Sequence, residues 1–351
     1  MDPTASNIPS QALEPSRVVF FGTPAFAMPA LQALASSRIV DLVGVVTQPD
    51  RPAGRGRRLH APPVKTFAAA RGLPLLQVST LRDASARSWL LERDADLFVV
   101  AAFGLILSRG TLAMPRRGAI NIHASLLPRY RGASPVASAI ANGERQTGVS
   151  LMQMEVGLDT GPVYAQSVVD ITDEDTTATL TERLAESGAQ LLTQTLPSIL
   201  DGSLRPDLQR GTATLTRPLV KEDGRIDWNR PARGIFNQVR AMTPWPRAFT
   251  TLPSGDVLQV LKAQVVNRPQ RTELTPGTVF VASGQIGVTC GVDALSIEVG
   301  QLPGSRPNSA AQLLQRRAMA DGDCFGSSQG PVQLPPLVME VASEAGELTP
   351  C

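Results

Sequence analysis

Residues 17–47 read RVVFFGTPAFAMPALQALASSRIVDLVGVVT, and the pattern of this segment is the clearest indication of the fold class. A short apolar strand is predicted over Arg17–Gly22. The pair Thr23–Pro24 then supplies a helix N-cap followed by a proline, which is tolerated at the first helical position. A helical pattern over Ala25–Ser36 leads to a second apolar strand over Val40–Thr47. Two unbroken apolar strands joined by a helix indicate parallel pairing in a sheet that is buried on both faces.

The same alternation of strand and helix continues to about residue 200. Further strands are predicted at Leu73–Val78, Leu97–Phe103, Gly118–Ser125, Gly148–Glu155 and Val163–Ile171. Helical patterns separate most of them, and the longest covers Thr176–Leu200. We therefore predict an α/β fold with a doubly wound, mostly parallel, Rossmann-like sheet.

The pattern of apolar and polar residues changes after residue 202, and we expect a second domain to follow. Residues 203–217 are polar and are interpreted as a linker. Short alternating runs spaced by Gly, Pro and Asn then predict a small β-barrel of OB-like type at 218–321. The ends, 1–16 and 322–351, are interpreted as a disordered extension and a disordered acidic tail, which leaves 17–202 as the first domain.

Composition excludes several classes of protein. The chain has 351 residues, of which 42% are hydrophobic, and its longest apolar run, Leu97–Leu107, is too short for a membrane helix. The N-terminus lacks the features of a signal peptide, and the three cysteines are too widely spaced for a CxxC zinc site. We expect a cytoplasmic protein with no membrane partner. Only two histidines, His60 and His123, are present, so a multi-histidine metal site is excluded.

Positive charge is concentrated in two places. Residues 203–321 hold 15 basic and 9 acidic side chains, whereas the tail holds only acidic ones. The loop at 48–58, QPDRPAGRGRR, carries four arginines: Arg51, Arg55, Arg57 and Arg58. Such a loop is either an ordinary solvated basic loop or a segment that binds a phosphate backbone.

Polar residues cluster where one predicted strand ends. In GAINIHAS, alternation places Asn121, His123 and Ser125 on one face of the strand. Such a face either holds a hydrogen-bonded core histidine or lines a crevice, since ligands bind at the carboxyl ends of parallel strands. Asp159 lies in the tight turn VGLDTGP, where its carboxylate either caps the turn or orients His123.

Other catalytic motifs are missing. The chain contains no GxGxxG fingerprint, no P-loop and no GxSxG elbow. A nicotinamide cofactor is therefore only weakly supported, and P-loop and α/β-hydrolase chemistry receive no support.

Five segments, in this order, resemble the formyltetrahydrofolate-dependent formyltransferases: FFGTPAFA, TQPDRPAGRGRRL, AAFGLIL, NIHASLLPRYRGASP and GVSLMQMEVGLDTG. The arginine-rich loop and the basic second domain are most similar to the methionyl-tRNA formyltransferase family. The resemblance implies transfer of a formyl group from 10-formyltetrahydrofolate to the α-amino group of methionyl-tRNA, without a metal. Because no long apolar stripe in the sequence is left unexplained, we expect a monomer.

The resemblance also implies roles for particular residues. Its catalytic set corresponds to Asn121, His123 and Asp159. The folate-binding set corresponds to Phe103, Gly104, Leu105, Ser125, Leu126, Leu127 and Pro128. The tRNA-binding set is Arg51, Arg55, Arg57 and Arg58. Which group serves as the immediate base stays open at this stage.

Two alternatives remain from the sequence. One is another 10-formyltetrahydrofolate enzyme, a formyltransferase or deformylase, that acts on a small amine or on water. The other is a non-catalytic RNA-binding protein built on a degenerate transferase domain, against which the intact Asn121, His123 and Asp159 argue.

Overall fold

The computed structural model describes residues 14–53, 58–268, 274–282, 285–316, 318–326 and 334–341. Most of the predicted N-terminal extension and much of the predicted tail lie outside the described residues. In the part that is described, no helix has the length and apolar character required to cross a membrane.

The strands are short and are numbered in chain order. Their bounds are β1 Ser16–Gly22, β2 Val40–Thr47, β3 Arg51–Ala53, β4 Arg58–His60, β5 Leu75–Gln77, β6 Leu97–Ala101, β7 Ala119–His123, β8 Arg131–Gly132, β9 Gln146–Gln153, β10 Val163–Asp170, β11 Thr214–Thr216, β12 Ala248–Thr251, β13 Val257–Val266, β14 Val279–Ala282, β15 Gln285–Thr289, β16 Ala294–Gln301, β17 Asn308–Ser309 and β18 Val338–Glu340.

The α-helices between them are numbered likewise. Their bounds are α1 Met28–Ala35, α2 Pro63–Ala70, α3 Ala84–Glu92, α4 Arg109–Leu112, α5 Pro135–Ala141, α6 Thr177–Leu200, α7 Ala232–Ala241 and α8 Ala310–Gln315. Thr176 caps α6 through its hydroxyl, which accepts from the backbone N–H of Thr179.

The first sheet has the strand order β10-β9-β7-β6-β1-β2-β5. Its five strands from β7 to β5 are parallel, and β9 and β10 add an antiparallel edge beside β7. The predicted mostly parallel, doubly wound sheet is thus confirmed. Antiparallel pairing of β7 with β9 brings Ser150 opposite His123 and Met152 opposite Asn121.

Apolar side chains fill both faces of this sheet, as the unbroken strands predicted. Val18 and Phe20 of β1 pack in a core with α1 and α6. Val19 and Phe21 point to the opposite face, where they pack with α3. Because β7 follows the same alternation, Asn121 and His123 lie on the face opposite Ile120 and Ile122.

The second domain is built on an antiparallel sheet in the order β12-β13-β16-β15-β14, with β17 paired to β16. This curled antiparallel half-barrel confirms the predicted small β-barrel-like second domain. Helix α7 packs on it, and its core includes Trp228, whose indole N–H donates to the Thr250 hydroxyl at 3.0 Å.

A third, three-stranded sheet differs from what the sequence indicated. Part of the predicted linker forms β11, which pairs in parallel with β8 and antiparallel with β18 of the predicted tail. The tail is therefore not disordered throughout, since Val338–Glu340 are ordered by pairing with a strand distant in sequence. Arg217 fixes this tail further, because its guanidinium donates to the Pro335 carbonyl and to Asp223.

Candidate active site

His123 ends β7 and is 7% exposed. Its Nε2 lies 3.0 Å from the backbone carbonyl oxygen of Tyr130. A carbonyl oxygen accepts hydrogen bonds and cannot donate them, so Nε2 carries the proton in this contact. In the neutral ring, Nδ1 is then the nitrogen with the free lone pair.

Asp159 approaches that second nitrogen. Its Oδ2 lies 3.7 Å from His123 Nδ1, and its side chain is 14% exposed. The same oxygen accepts the backbone N–H of Gly132 at 2.8 Å. Asp159 has a φ of +54°, a left-handed conformation that is unfavourable for a residue with a Cβ. A strained backbone thus delivers a carboxylate to the imidazole.

Asn121 lies two residues before His123 on the same strand face. Its side chain is half-buried, and no group in the described residues forms a hydrogen bond with its amide. The structure therefore brings His123 and Asp159 together and leaves a free amide on the same face, as the strand alternation predicted.

The segment 125–128, for which the resemblance implies folate contacts, forms several hydrogen bonds with other residues of the chain. The Ser125 hydroxyl donates to the Arg129 carbonyl at 2.6 Å, and Ser150 donates to the Ser125 carbonyl at 2.6 Å. Gln166 donates to the Leu127 carbonyl at 3.0 Å. Ser125 and Leu127 are buried, while Leu126 and Pro128 are half-buried. Ser125 thus holds the loop in shape with its side chain.

Tyr130, which supplies the carbonyl for His123, is itself fixed at its far end. Its hydroxyl donates to Glu144 at 2.5 Å, and its ring is buried. Burial, together with the hydrogen bond to Glu144, raises the pKa of Tyr130 to about 12. Tyr130 is therefore a neutral, fixed residue of the loop after β7.

The loop after β6 lies beside this cluster, because Ala101 pairs with Ile122 in the sheet. Phe103 is buried, with its ring edge against Phe21 at 5.3 Å between centroids. Its carbonyl accepts from Gln48 Nε2 at 2.6 Å and from the Thr23 hydroxyl at 3.2 Å. Gly104 has a φ of +77°, and a Cβ there would lie 2.6 Å from Gln48 Nε2. The loop therefore requires glycine at this position.

The arginine-rich loop forms a hairpin of β3 and β4. Arg55 and Arg57 lie outside the described residues, and only the backbone of Arg58 is described. Arg51 is exposed and donates to the Gln48 side-chain oxygen. Because Gln48 also bonds to the Phe103 carbonyl, the base of the hairpin is connected to the loop after β6.

Sequence reasoning missed two polar residues at this site. Gln209, in the segment interpreted as a linker, bonds to the Asp159 carbonyl and to the Arg131 guanidinium. A single glutamine in a polar stretch carries no periodic or motif signal, so its role depends on long-range pairing that only the structure reveals. Arg131 entered the sequence analysis only as part of the segment NIHASLLPRYRGASP.

A cavity of about 690 Å³ lies elsewhere, between the second domain, Arg217 and the tail segment 334–337. It is lined by none of Asn121, His123 and Asp159, so it is separate from the candidate active site. Among the described residues, no three His, Cys, Asp or Glu side chains are grouped so as to hold a metal ion.

Fold and site together define a formyl transferase. The family model described as formyl transferase matches residues 16–196, and that of the formyl transferase C-terminal domain matches residues 218–318. The crystal structure of an N-formyltransferase from Helicobacter canadensis, in complex with folinic acid and dTDP-3-aminofucose, has a similar fold. It has a TM-score of 0.60 at 16% identity, covering 80% of this chain and 99% of that one.

Sequence relatives show which family of formyl transferases the chain belongs to. The methionyl-tRNA formyltransferase of Sorangium cellulosum is 46% identical over 312 residues, which cover 88% of this chain and 99% of the relative. That of Anaeromyxobacter dehalogenans is 47% identical over 300 residues, covering 85% of this chain and 96% of the relative. The chain belongs to the methionyl-tRNA formyltransferase family.

Proposed function

We propose that this chain transfers the formyl group of 10-formyltetrahydrofolate to the α-amino group of methionyl-tRNA. Family membership supports the reaction. The observation that carries the mechanism is the approach of Asp159 to Nδ1 of His123, at 3.7 Å, with Asn121 on the same strand face. Because charged tRNA is a cytoplasmic substrate, we also place the activity in the cytoplasm.

The loop after β6 fits a folate ring. The backbone N–H groups of residues 104–107 donate to no other group in the described part of the chain. Ile106 is 92% exposed, which is unusual for a large apolar side chain. Free backbone donors beside apolar surface suit a flat ring with a polar edge. Phe103, Gly104 and Leu105 are therefore proposed to bind the pterin, and Leu126 and Pro128 to contact the folate from the other loop.

The formyl donor supplies an activated acyl group, and side chains of this protein are proposed to accept and donate the protons that the transfer requires. Free α-amino groups have a pKa of about 7.7–8.0, so about half of the attacking amine is neutral near that pH. Nδ1 of His123 is proposed to accept the proton that the amine loses on attack, since Nε2 is committed to the Tyr130 carbonyl. The carboxylate of Asp159 stabilises the positive charge that then forms on the ring. When the bond between the formyl carbon and N10 of the folate breaks, the protonated Nδ1 is proposed to donate this proton to N10, so that neutral tetrahydrofolate leaves.

Asn121 is proposed to stabilise the negative charge on the formyl oxygen. Its amide has no competing partner in the described residues, so its N–H groups are free to donate to a developing oxyanion. Loss of one donor of this kind typically lowers the rate by about 10²–10³-fold.

The arginine-rich hairpin is proposed to contact the phosphates of the tRNA acceptor end through Arg51, Arg55, Arg57 and Arg58. The second domain together with the segment before it, residues 203–321, carries 15 basic and 9 acidic side chains and is proposed to hold the acceptor arm. Phosphate contacts of this type position a nucleic acid without reading its sequence.

The test is transfer of a labelled formyl group from 10-formyltetrahydrofolate to three acceptors: methionyl-tRNA, free methionine and water. We expect label on methionyl-tRNA and little on methionine or in formate. Release of formate at the same rate with and without tRNA would instead identify a deformylase. Equal labelling of free methionine would identify an enzyme of small amines. The His123→Ala variant serves as the control for uncatalysed transfer.

A further inference from the structure

Gln209 forms hydrogen bonds with both the turn at 159–161, which contains Asp159, and the side chain of Arg131. Its Nε2 donates to the carbonyl oxygens of Asp159 at 2.8 Å and Gly161 at 2.7 Å. Its Oε1 accepts from Nε and Nη2 of Arg131 at 3.1 and 2.7 Å. The side chain is half-buried, and both donors and both acceptor positions of its amide are used.

The partners of Gln209 fix the orientation of its amide. Arginine offers only donors, so the amide oxygen faces Arg131. Backbone carbonyls offer only acceptors, so the amide nitrogen faces the turn at 159–161. Glutamate in this place would keep the contact with Arg131 but would lose both donors to the turn. Leucine, of similar size, would lose all four hydrogen bonds.

The turn that Gln209 holds is strained and needs such support. Asp159 has a φ of +54°, and a Cβ on Gly161 would lie 1.9 Å from the Gln153 carbonyl oxygen. Strained backbone of this kind persists only where surrounding contacts hold it in place. The hydrogen bonds from Gln209 reach the turn on both sides of Thr160.

Arg131 connects Gln209 to the carboxylate by a second route. Gly132, its neighbour in β8, donates its N–H to Asp159 Oδ2. Burial lowers the pKa of the Arg131 guanidinium, and the negative charge of Asp159 opposes that effect, which places the two charges in electrostatic contact. The two hydrogen bonds from Arg131 to Gln209 therefore link the turn to the strand that holds the Asp159 carboxylate.

The backbone around Gln209 is anchored to the first domain. Asp207 and Val163 exchange two backbone hydrogen bonds, at 2.7 and 2.9 Å. The Thr214 hydroxyl accepts a hydrogen bond from the backbone N–H of Tyr130 at 2.7 Å. The Thr216 hydroxyl donates to the Arg131 carbonyl at 2.9 Å. The segment from 207 to 216 is thus attached to β10 before Gln209 and to the loop at Tyr130 and Arg131 after it.

We propose that Gln209 is a positioning residue for formyl transfer: by bonding to the Asp159 turn and to Arg131, it holds the Asp159 carboxylate against His123. This inference rests on the proposed function. It assigns to the segment between the domains a direct part in aligning the catalytic groups.

The test compares Gln209→Leu and Gln209→Glu with Leu208→Ala, a change at the neighbouring side chain, which is 78% exposed. We expect both Gln209 variants to lower kcat by about 10- to 100-fold, as displacement of a catalytic group does, with little change in KM for either substrate. Leu208→Ala should behave as wild type. Recovery of kcat in Gln209→Glu would overturn the proposal, since Glu keeps only the contact with Arg131.

A double-mutant cycle separates positioning from general stabilisation. In an Asp159→Asn background, Gln209→Leu should cause little further loss of kcat, because its effect passes through the carboxylate. An equal loss in both backgrounds would overturn the proposal. A melting curve for each variant confirms that it is folded, and Gln209→Glu replaces Gln209→Leu in the cycle if the latter does not fold.

A readout that does not depend on activity is hydrogen exchange at the Gly132 amide, which donates to Asp159. Exchange should be faster in Gln209→Leu and unchanged in Leu208→Ala. Unchanged exchange in Gln209→Leu would contradict the inference. If the wild-type protein transferred no formyl group, the proposed function would fail, and this exchange measurement would still test the role of Gln209.

Discussion

The backbone carbonyl of Tyr130 lies 3.0 Å from Nε2 of His123 and determines which ring nitrogen faces the Asp159 carboxylate. Tyr130 is in turn fixed by Glu144 at its hydroxyl and by Thr214 at its backbone N–H. The nitrogen that we propose to accept the proton is therefore set by a loop whose shape depends on the segment that joins the two domains.

The first prediction concerns the tautomer of His123. Only two histidines are present, so His60→Gln leaves one histidine signal in a nitrogen NMR spectrum. We expect neutral His123 to carry its proton on Nε2, because the Tyr130 carbonyl only accepts. Additional loss of the signal in His123→Gln verifies the assignment. A proton on Nδ1 would contradict the proposed direction of proton transfer.

The second prediction concerns the charge of Asp159. Asp159→Asn keeps an oxygen for the Gly132 N–H but removes the negative charge beside His123. We expect kcat to fall by about 10²-fold or more, with KM little changed, as for loss of a positioned acid–base group. Asp159→Gly, which suits the left-handed backbone, removes the side chain without adding strain and should also be slow. Normal kcat in both variants would show that the carboxylate is not used.

The third prediction concerns tyrosine ionisation. Burial raises the pKa of both tyrosines, and Glu144 contributes at Tyr130, where the pKa is about 12. An ultraviolet titration of the folded protein should therefore show phenolate formation well above pH 10, and Tyr130→Phe should remove part of the change. The folded state holds the phenol protons of the two tyrosines more tightly than the unfolded state does. The contribution of these neutral tyrosines to the free energy of unfolding is therefore fully present below pH 10 and is lost as the pH rises towards 12. Phenolate formation near pH 10 in folded protein would contradict this.

The fourth prediction concerns the strand at Val338–Glu340. Deleting residues 327–351 removes β18 and the contacts of Arg217 with the Pro335 carbonyl. We expect the free energy of unfolding to fall by about 1–3 kcal/mol, as for loss of a few hydrogen bonds. Deletion of 342–351 alone keeps β18 and should leave stability unchanged. Identical melting of the two truncated proteins would show that the strand adds no stability.

The fifth prediction concerns the arginine-rich hairpin. Replacing Arg51, Arg55, Arg57 and Arg58 with alanine should raise KM for methionyl-tRNA and leave KM for the folate unchanged. Each lost phosphate contact should also make the dependence of tRNA affinity on salt less steep. Arg38→Ala, at an exposed arginine between α1 and β2, is the control. An unchanged KM and salt dependence would exclude the hairpin from tRNA binding.

Local patterns predicted the first domain well because its central strands β1, β2 and β6 are largely apolar and mostly buried. The alternation in β7 was likewise sufficient to place Asn121 and His123 on one face. Pairing direction was harder, since nothing in the composition of β9 and β10 distinguishes antiparallel edge strands from parallel ones.

Features that depend on distant partners were not predicted. Strands β11 and β18 are three residues each and weakly apolar, so they exist only because they pair with each other and with β8. The role of Gln209 depends on a turn fifty residues earlier and on Arg131. The hydrogen bond from the Ser125 hydroxyl to the Arg129 carbonyl was also not predicted, and the folate contact expected of Ser125 stays a prediction.

The central claim is that Asn121, His123 and Asp159 act together in formyl transfer. Its most direct test is the single-turnover rate of formyl transfer to methionyl-tRNA, with both substrates saturating, in Asn121→Ala, His123→Ala and Asp159→Gly. The account predicts that each variant is slower than wild type by about 10²-fold or more while still binding both substrates. Transfer near the wild-type rate in all three variants would contradict it.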